Sequence, residues 1–296
     1  MRHYALHLLT ALTALLLLPS AHHPSAAPAP YGTTPAPASA PPWHPPLAPP
    51  DICDTDNEVF QAGEKIVYKL YYNWNFVWIP AGEVTFLVHE LPRQYHMMVR
   101  GRTYESYEWF YRVRDNYESY LDKETLLPQI HIKDVHEGDY TRYDRTVFDQ
   151  RAGKAVSSRG RTRDSLEDEA IDLTGCMHDL VSVVYYARNL RYEEMTVGEE
   201  IPMQILMDRK VYPIGLKYLG RDERKSVKGI GKWDTQRFSP SLIAGEVFKE
   251  GDEMSIWVSN DENRIPVLIE SPVVVGSVKA VLQSYEGLRY PVRARL

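Results

Sequence analysis

Alternation of apolar and polar positions at a period of two begins at Gly63 and runs through most of the chain that follows. Ile66, Tyr68, Leu70 and Tyr72 fall on one face of a first segment, and Val84, Phe86 and Val88 on one face of its return. That is the pattern of two half-buried antiparallel strands, a hairpin spanning 63–88. Its connection, 73–80, carries Trp74, Phe76, Trp78 and Ile79 with hardly a charge. Such a stretch either buries in the domain or offers an apolar surface to a ligand or partner. The rest of the chain reads as further strands laid against this pair.

Strands are predicted at 95–104, 114–121, 127–136 and 139–149, with turns at Asp122-Lys123, Glu137-Gly138 and 151–153. The aromatic segment 105–112 reads as a helical turn or loop. Residues 159–169 are dense in both charges without apolar periodicity, so they read as a solvated loop. The period changes at 177–190, where Leu180, Val183, Val184 and Ala187 recur at helical spacing. Strands return at 200–207, 210–220, 224–234, 253–259, 264–271 and 274–285. Ten or more strands with one helix predict a mainly β fold, a curved antiparallel sheet or open β-barrel with the helix packed against it.

Composition sets the outer limits. The chain has 296 residues, 44% apolar and 25% charged, enough for a full core in a single mainly-β domain over 51–296. A net charge of −6 with no basic run argues against a nucleic-acid partner. Arg2 and the apolar run 5–18 read as a signal peptide, 1–27, with cleavage after Ala27 or earlier at Ser20-Ala21. If it were retained it would tether the protein, but the run is short for a permanent anchor. Residues 24–50 hold 11 of the 21 prolines and no Asp, Glu, Lys or Arg, so 28–50 is expected to be a Pro-rich disordered linker.

Candidate chemistry is sparse. Cys53 and Cys176 in an exported chain predict a disulfide; the alternative is a Cys176 thiol activated by His178 beside Asp179 at a helix start. His89-Glu90 and His136-Glu137 each lack the second His of a zinc-protease motif, and Gly229-Ile230-Gly231-Lys232 departs from phosphate-loop spacing and reads as a turn. Asp261 and Arg264 sit in a stretch better read as a tight hairpin, with Pro266 marking an edge strand. Asp115, Glu118 and Asp122 alternate with Arg112 and Arg114; paired acids could serve glycoside hydrolysis, but spacing along one strand does not set two carboxylates across a bond, so they read as a solvated strand face. No catalytic set, metal site or cofactor is expected.

Four segments together carry a family resemblance: G-E-K-I-V-Y at 63–68, the run Y-N-W-x-x-x-W-I-P-A-G-E at 72–83, H-D-L-V-S-V-V-Y-Y-A-R at 178–188 and W-V-S-N-D-E-N-R-I-P-V at 257–267. In this order they resemble the bacterial domain of unknown function numbered 3108, over about 60–282, in the form found in Bacteroidetes-type envelopes. The resemblance implies an exported, mainly β protein of the periplasm or outer-membrane periphery and supplies no catalytic residues. The expectation is a non-enzymatic binding or carrier module for a lipid or other amphipathic small molecule. The alternative is a scaffold that docks an envelope protein through 73–80. Either is membrane-peripheral at most, and the oligomeric state is left open.

Overall fold

The computed structural model describes residues 53, 55–74, 77–109, 111–240, 253–272 and 277–296, with Trp74 described by its backbone. The predicted signal peptide and Pro-rich linker, and Phe76, lie outside the described residues. Fifteen strands form one sheet: β1 (Lys65–Trp74), β2 (Val77–Glu90), β3 (Gln94–Thr103), β4 (Val113–Asp122), β5 (Pro128–Glu137), β6 (Tyr140–Asp149), β7 (Lys154–Gly160), β8 (Glu167–Asp172), β9 (Met177–His178), β10 (Glu200–Met207), β11 (Lys210–Val227), β12 (Gly231–Pro240), β13 (Ser255–Ser259), β14 (Pro266–Pro272) and β15 (Ser277–Glu286). Among the described residues there are also two short helices, α1 (Glu105–Glu108) and α2 (Ser182–Arg188), and a 3-10 turn at Tyr192–Glu194.

The spatial order is β8-β7-β6-β5-β4-β3-β2-β1-β15-β14-β13-β12-β11-β10-β9, which places β1 at the centre. It pairs antiparallel with β2 on one side and β15 on the other. The first hairpin is therefore the axis from which two meanders spread in opposite directions. Its inward residues Ile66, Tyr68, Leu70 and Tyr72 are buried at 4% exposure or less and lead the main core. Gly82 in β2 is required by close approach, since a Cβ there would sit 2.3 Å from the Arg102 carbonyl oxygen.

The sheet curls but does not close into a true barrel. Its two edges meet through side chains rather than a strand ladder. Phe148 and Ala155 of β6 and β7 pack with Met177 and Leu206 of β9 and β10, and the Gln150 side chain donates to the Met177 carbonyl at 2.8 Å. Nearby, the β10–β11 turn places Asp208 and Arg209 at φ 48° and 66°, the geometry of a two-residue hairpin turn. Asp208 takes Lys133 at 3.1 Å and Arg159 at 3.0 Å, and Arg209 reaches Glu169 at 3.0 Å. β8 is exposed almost throughout and acidic, which discourages further strand addition.

The helix is shorter than its periodicity suggests. Met177–His178 are drawn into a parallel bridge with β10, and Asp179 then caps α2, its Oδ1 accepting from the Val181 and Ser182 amides at 2.7 Å each. Inside the curl, Arg188 of α2 makes a bidentate pair with Glu64 at 2.6 and 2.9 Å and donates to the Asn263 carbonyl at 2.9 Å. Both ionic side chains are nearly inaccessible. Three of the four segments behind the family resemblance thus converge on one buried ion pair.

Other sequence readings are corrected in detail. The described residues of the span 73–80 are all strand, because its Trp, Val and Ile residues favour extended backbone. Residues 159–169 include the end of β7 and start of β8; the β8 side chains are solvated as their charge implies, whereas Arg159 forms ion pairs with Asp144 and Asp208. β11 runs through 220 to Val227, and the turn falls at 228–230, with Gly229 and Gly231 at φ 91° and 92°. Pro266 opens β14, an interior strand, at its first position, where no ladder donor is lost in mid-strand.

Candidate functional site

Antiparallel order brings the β1–β2 tip and the β3–β4 connection to the same end of the sheet, opposite the end closed by α2 and the C-terminal segment. The connection folds over this end: the Tyr104 amide donates to the Ala81 carbonyl at 3.1 Å, and the Gly138 amide to the Arg112 carbonyl at 2.9 Å. Apolar side chains here meet solvent. Val77 is 60% exposed and Trp109, just beyond α1, is 84% exposed.

The sequence groups Trp74, Phe76, Trp78 and Ile79 as one surface; strand alternation puts Trp78 and Ile79 on opposite faces. Ile79 is opposed to buried Tyr72 and shares its concave face, half-buried at the rim. Trp74 ends β1 opposite Val77. Trp78 is turned to the convex face, where Lys279 Nζ stands 4.2 Å from its ring centroid. Lys279 alternates along β15 with buried Val278 and Ala280, which fixes that face as the outer one.

The outer face collects aromatic rings and cations in two registered rows. One runs Pro80, Tyr71, Lys279, Glu270 and Ser255 across β2, β1, β15, β14 and β13. The next runs Lys69, Val281, Leu268, Trp257 and Arg237 across β1, β15, β14, β13 and β12. Lys69 Nζ lies 5.5 Å from the Tyr71 ring centroid and 5.8 Å from that of Tyr104, and Lys225 Nζ lies 3.5 Å from that of Trp257. Glu270 is engaged by Lys279 at 2.6 Å. Sequence reasoning singled out Trp78, read the stretch that begins at Trp257 as a hairpin, and missed Arg237, which opposes Trp257 on β12, and Lys225, whose approach depends on bulges in β11.

The remaining candidates resolve as structure. Cys53 and Cys176 form the disulfide, tying the entry of the domain to the segment before β9, so the thiol alternative falls. His178 is buried against the Tyr186 ring at 4.5 Å, and burial drives its pKa down to about 4. Asp261 accepts from the Ser259 hydroxyl and from the backbone amides of Asn263, Arg293 and Ala294. Arg264 adopts φ 47° and donates to the Leu190 carbonyl. A polar cleft of about 420 Å³ lies beside them, lined by groups already bonded to one another, such as Gln236 with Asn260 and Arg264 with Glu193. Asp115 and Glu118 face opposite sides of β4, so they form no acid pair. Asp115 is buried, its pKa raised by burial and then by neighbouring Glu137, and Glu118 bonds His96 at 2.8 Å on the other side.

The family model described as "Protein of unknown function (DUF3108)" matches residues 67–283. The chain belongs to that family. The match is to DUF3108 as a whole and singles out no branch within it. Among solved structures, a β-barrel-like protein of the domain of unknown function DUF1849 from Brucella abortus is similar at 10% identity, covering 79% of this chain and 100% of its own, with a TM-score of 0.52. A protein described as a lipoprotein, from Parabacteroides distasonis, matches at 12% identity over 79% and 99%, with a TM-score of 0.29. A protein described as exported, with a YmcC-like fold, from Bacteroides fragilis matches at 9% over 78% and 99%, with a TM-score of 0.28. No curated protein matches the chain. At these identities the Brucella structure speaks to the fold alone.

Proposed function

We propose that this DUF3108 protein is a non-enzymatic, exported module of the cell envelope, in the periplasm or at the outer-membrane periphery, that holds an amphipathic ligand at the hairpin end of its sheet. The observation that carries this reading is the exposure of Val77 and Trp109 at one end, beside half-buried Trp78 and Ile79. Large apolar side chains grouped at one rim mark a surface that meets something apolar. The disulfide fits an oxidising compartment outside the cytoplasm. Trp109 also supports a second reading, a docking patch for an envelope protein, because it stands farther out than a ring lining a cavity would.

Val77→Asp tests the proposal. An exposed side chain tolerates the change, so stability should move by no more than about 0.5 kcal/mol, while retention of a fluorescent amphiphile by the oxidised protein falls. Unchanged retention overturns the ligand reading; loss of a copurifying protein with no change in amphiphile binding favours the docking reading. Trp78→Ala should likewise leave the melting temperature close to wild type, since Trp78 is only half-buried, and a loss of several degrees would assign that ring to the core.

A further inference from the structure

Trp257 is 5% exposed although it lies on the outer face of β13, and its indole N–H has no acceptor among the described residues. Arg237, directly opposed on β12, has a buried Nε–H that is also unaccepted, while its Nη2 is fixed by donating to the Ser255 hydroxyl at 3.0 Å. The Arg237 guanidinium carbon is 5.2 Å from the indole centroid, and Lys225 Nζ is 3.5 Å from it. Indole, guanidinium and ammonium are donors only, so no rearrangement among them satisfies the set.

Among the described residues, acids do not fill the gap. Glu270 is taken by Lys279, and Asp222 is the other carboxylate that acts on Lys225. Burial holds the Lys225 ammonium below its ordinary range, Arg237 and Lys279 add to that effect, and Glu270 and Asp222 oppose it. Among the described residues, Lys225, Arg237 and Lys279 set three cations against the two acids Glu270 and Asp222, and two buried donors beside one ring are left without an acceptor, a set that a negative group would satisfy.

We propose that the indole N–H of Trp257, the Nε–H of Arg237 and the ammonium of Lys225 form a binding site for a phosphate-type oxyanion on the outer face of the sheet. A tetrahedral oxyanion offers separate oxygens to three donors arriving from three strands, and it offsets the crowded positive charge. The site is distinct from the hairpin end and does not depend on the ligand reading given for it.

The test is a titration of inorganic phosphate into the full oxidised chain at constant ionic strength, followed at the Trp257 indole N–H resonance, which is assigned by its loss in Trp257→Phe. A saturable shift with phosphate and none with chloride is expected. Lys225→Gln, at a partly exposed position that leaves folding intact, should weaken binding about tenfold or more. Phosphatidylglycerol vesicles, set against phosphatidylcholine, identify the source. Retention on the former that Lys225→Gln abolishes points to a lipid headgroup, whereas a phosphate shift without retention points to the free ion. Absence of a saturable shift, an equal response to chloride, or wild-type affinity in Lys225→Gln overturns the site.

Discussion

Buried titratable side chains give the protein its pH response. His178 is neutral in the fold because burial lowers its pKa to about 4 from 6.5. The unfolded chain therefore binds the extra proton first as pH falls, and stability declines from about pH 6.5 down to about pH 4. At about 1.4 kcal/mol per unit, the contribution lost is on the order of 3 kcal/mol. His178→Phe, which keeps a ring against Tyr186, should flatten that part of the stability curve measured by urea unfolding; an undiminished slope would assign it to other groups. The sequence shows a His at a helix start but not its burial, which comes from Met177 and His178 being pulled into the sheet. Alternation likewise separates Trp78 from Ile79 once 73–80 is read as strand, yet a run of four bulky apolar residues hides that parity.

Among elements, the joint between α2 and β1 matters most. Glu64 and Arg188 are 124 positions apart and are brought together only by the curl of the sheet. Local pattern therefore shows the hairpin and the helical period but not the ion pair that docks one on the other. Removing a single member leaves a buried, uncompensated charge, which costs about 3–5 kcal/mol. Arg188→Met alone should thus destabilise strongly, whereas Glu64→Gln with Arg188→Met should recover much of the loss, as read by denaturant midpoints. A double variant as unstable as the sum of the singles would contradict that coupling. The helix expected over 177–190 keeps only Ser182–Arg188 because Asp179 caps it late, a choice made by the parallel bridge of β9 to β10 and invisible in the period.

For the whole molecule, the mainly β class, the central first hairpin and the antiparallel succession of strands follow from period-two patterning, since strands consecutive in sequence pair antiparallel except that β8 and β9 form the two edges, β9 joins β10 in parallel, and β1 also meets β15. The closure of the curl does not. It rests on Asp208 and Arg209 reaching across to β5, β7 and β8, contacts between residues that carry no local signature. The proposed function likewise belongs to the assembled curl, because only the strand order brings Val77 and Trp109 to one end. Native mass spectrometry of the full protein purified from its own envelope reads that function directly. A lipid-sized adduct on the wild-type chain, lost in a Val77→Asp, Trp109→Ala double variant of unchanged melting temperature, is the predicted result; a bare wild-type polypeptide, or an adduct undiminished in the variant, would contradict it.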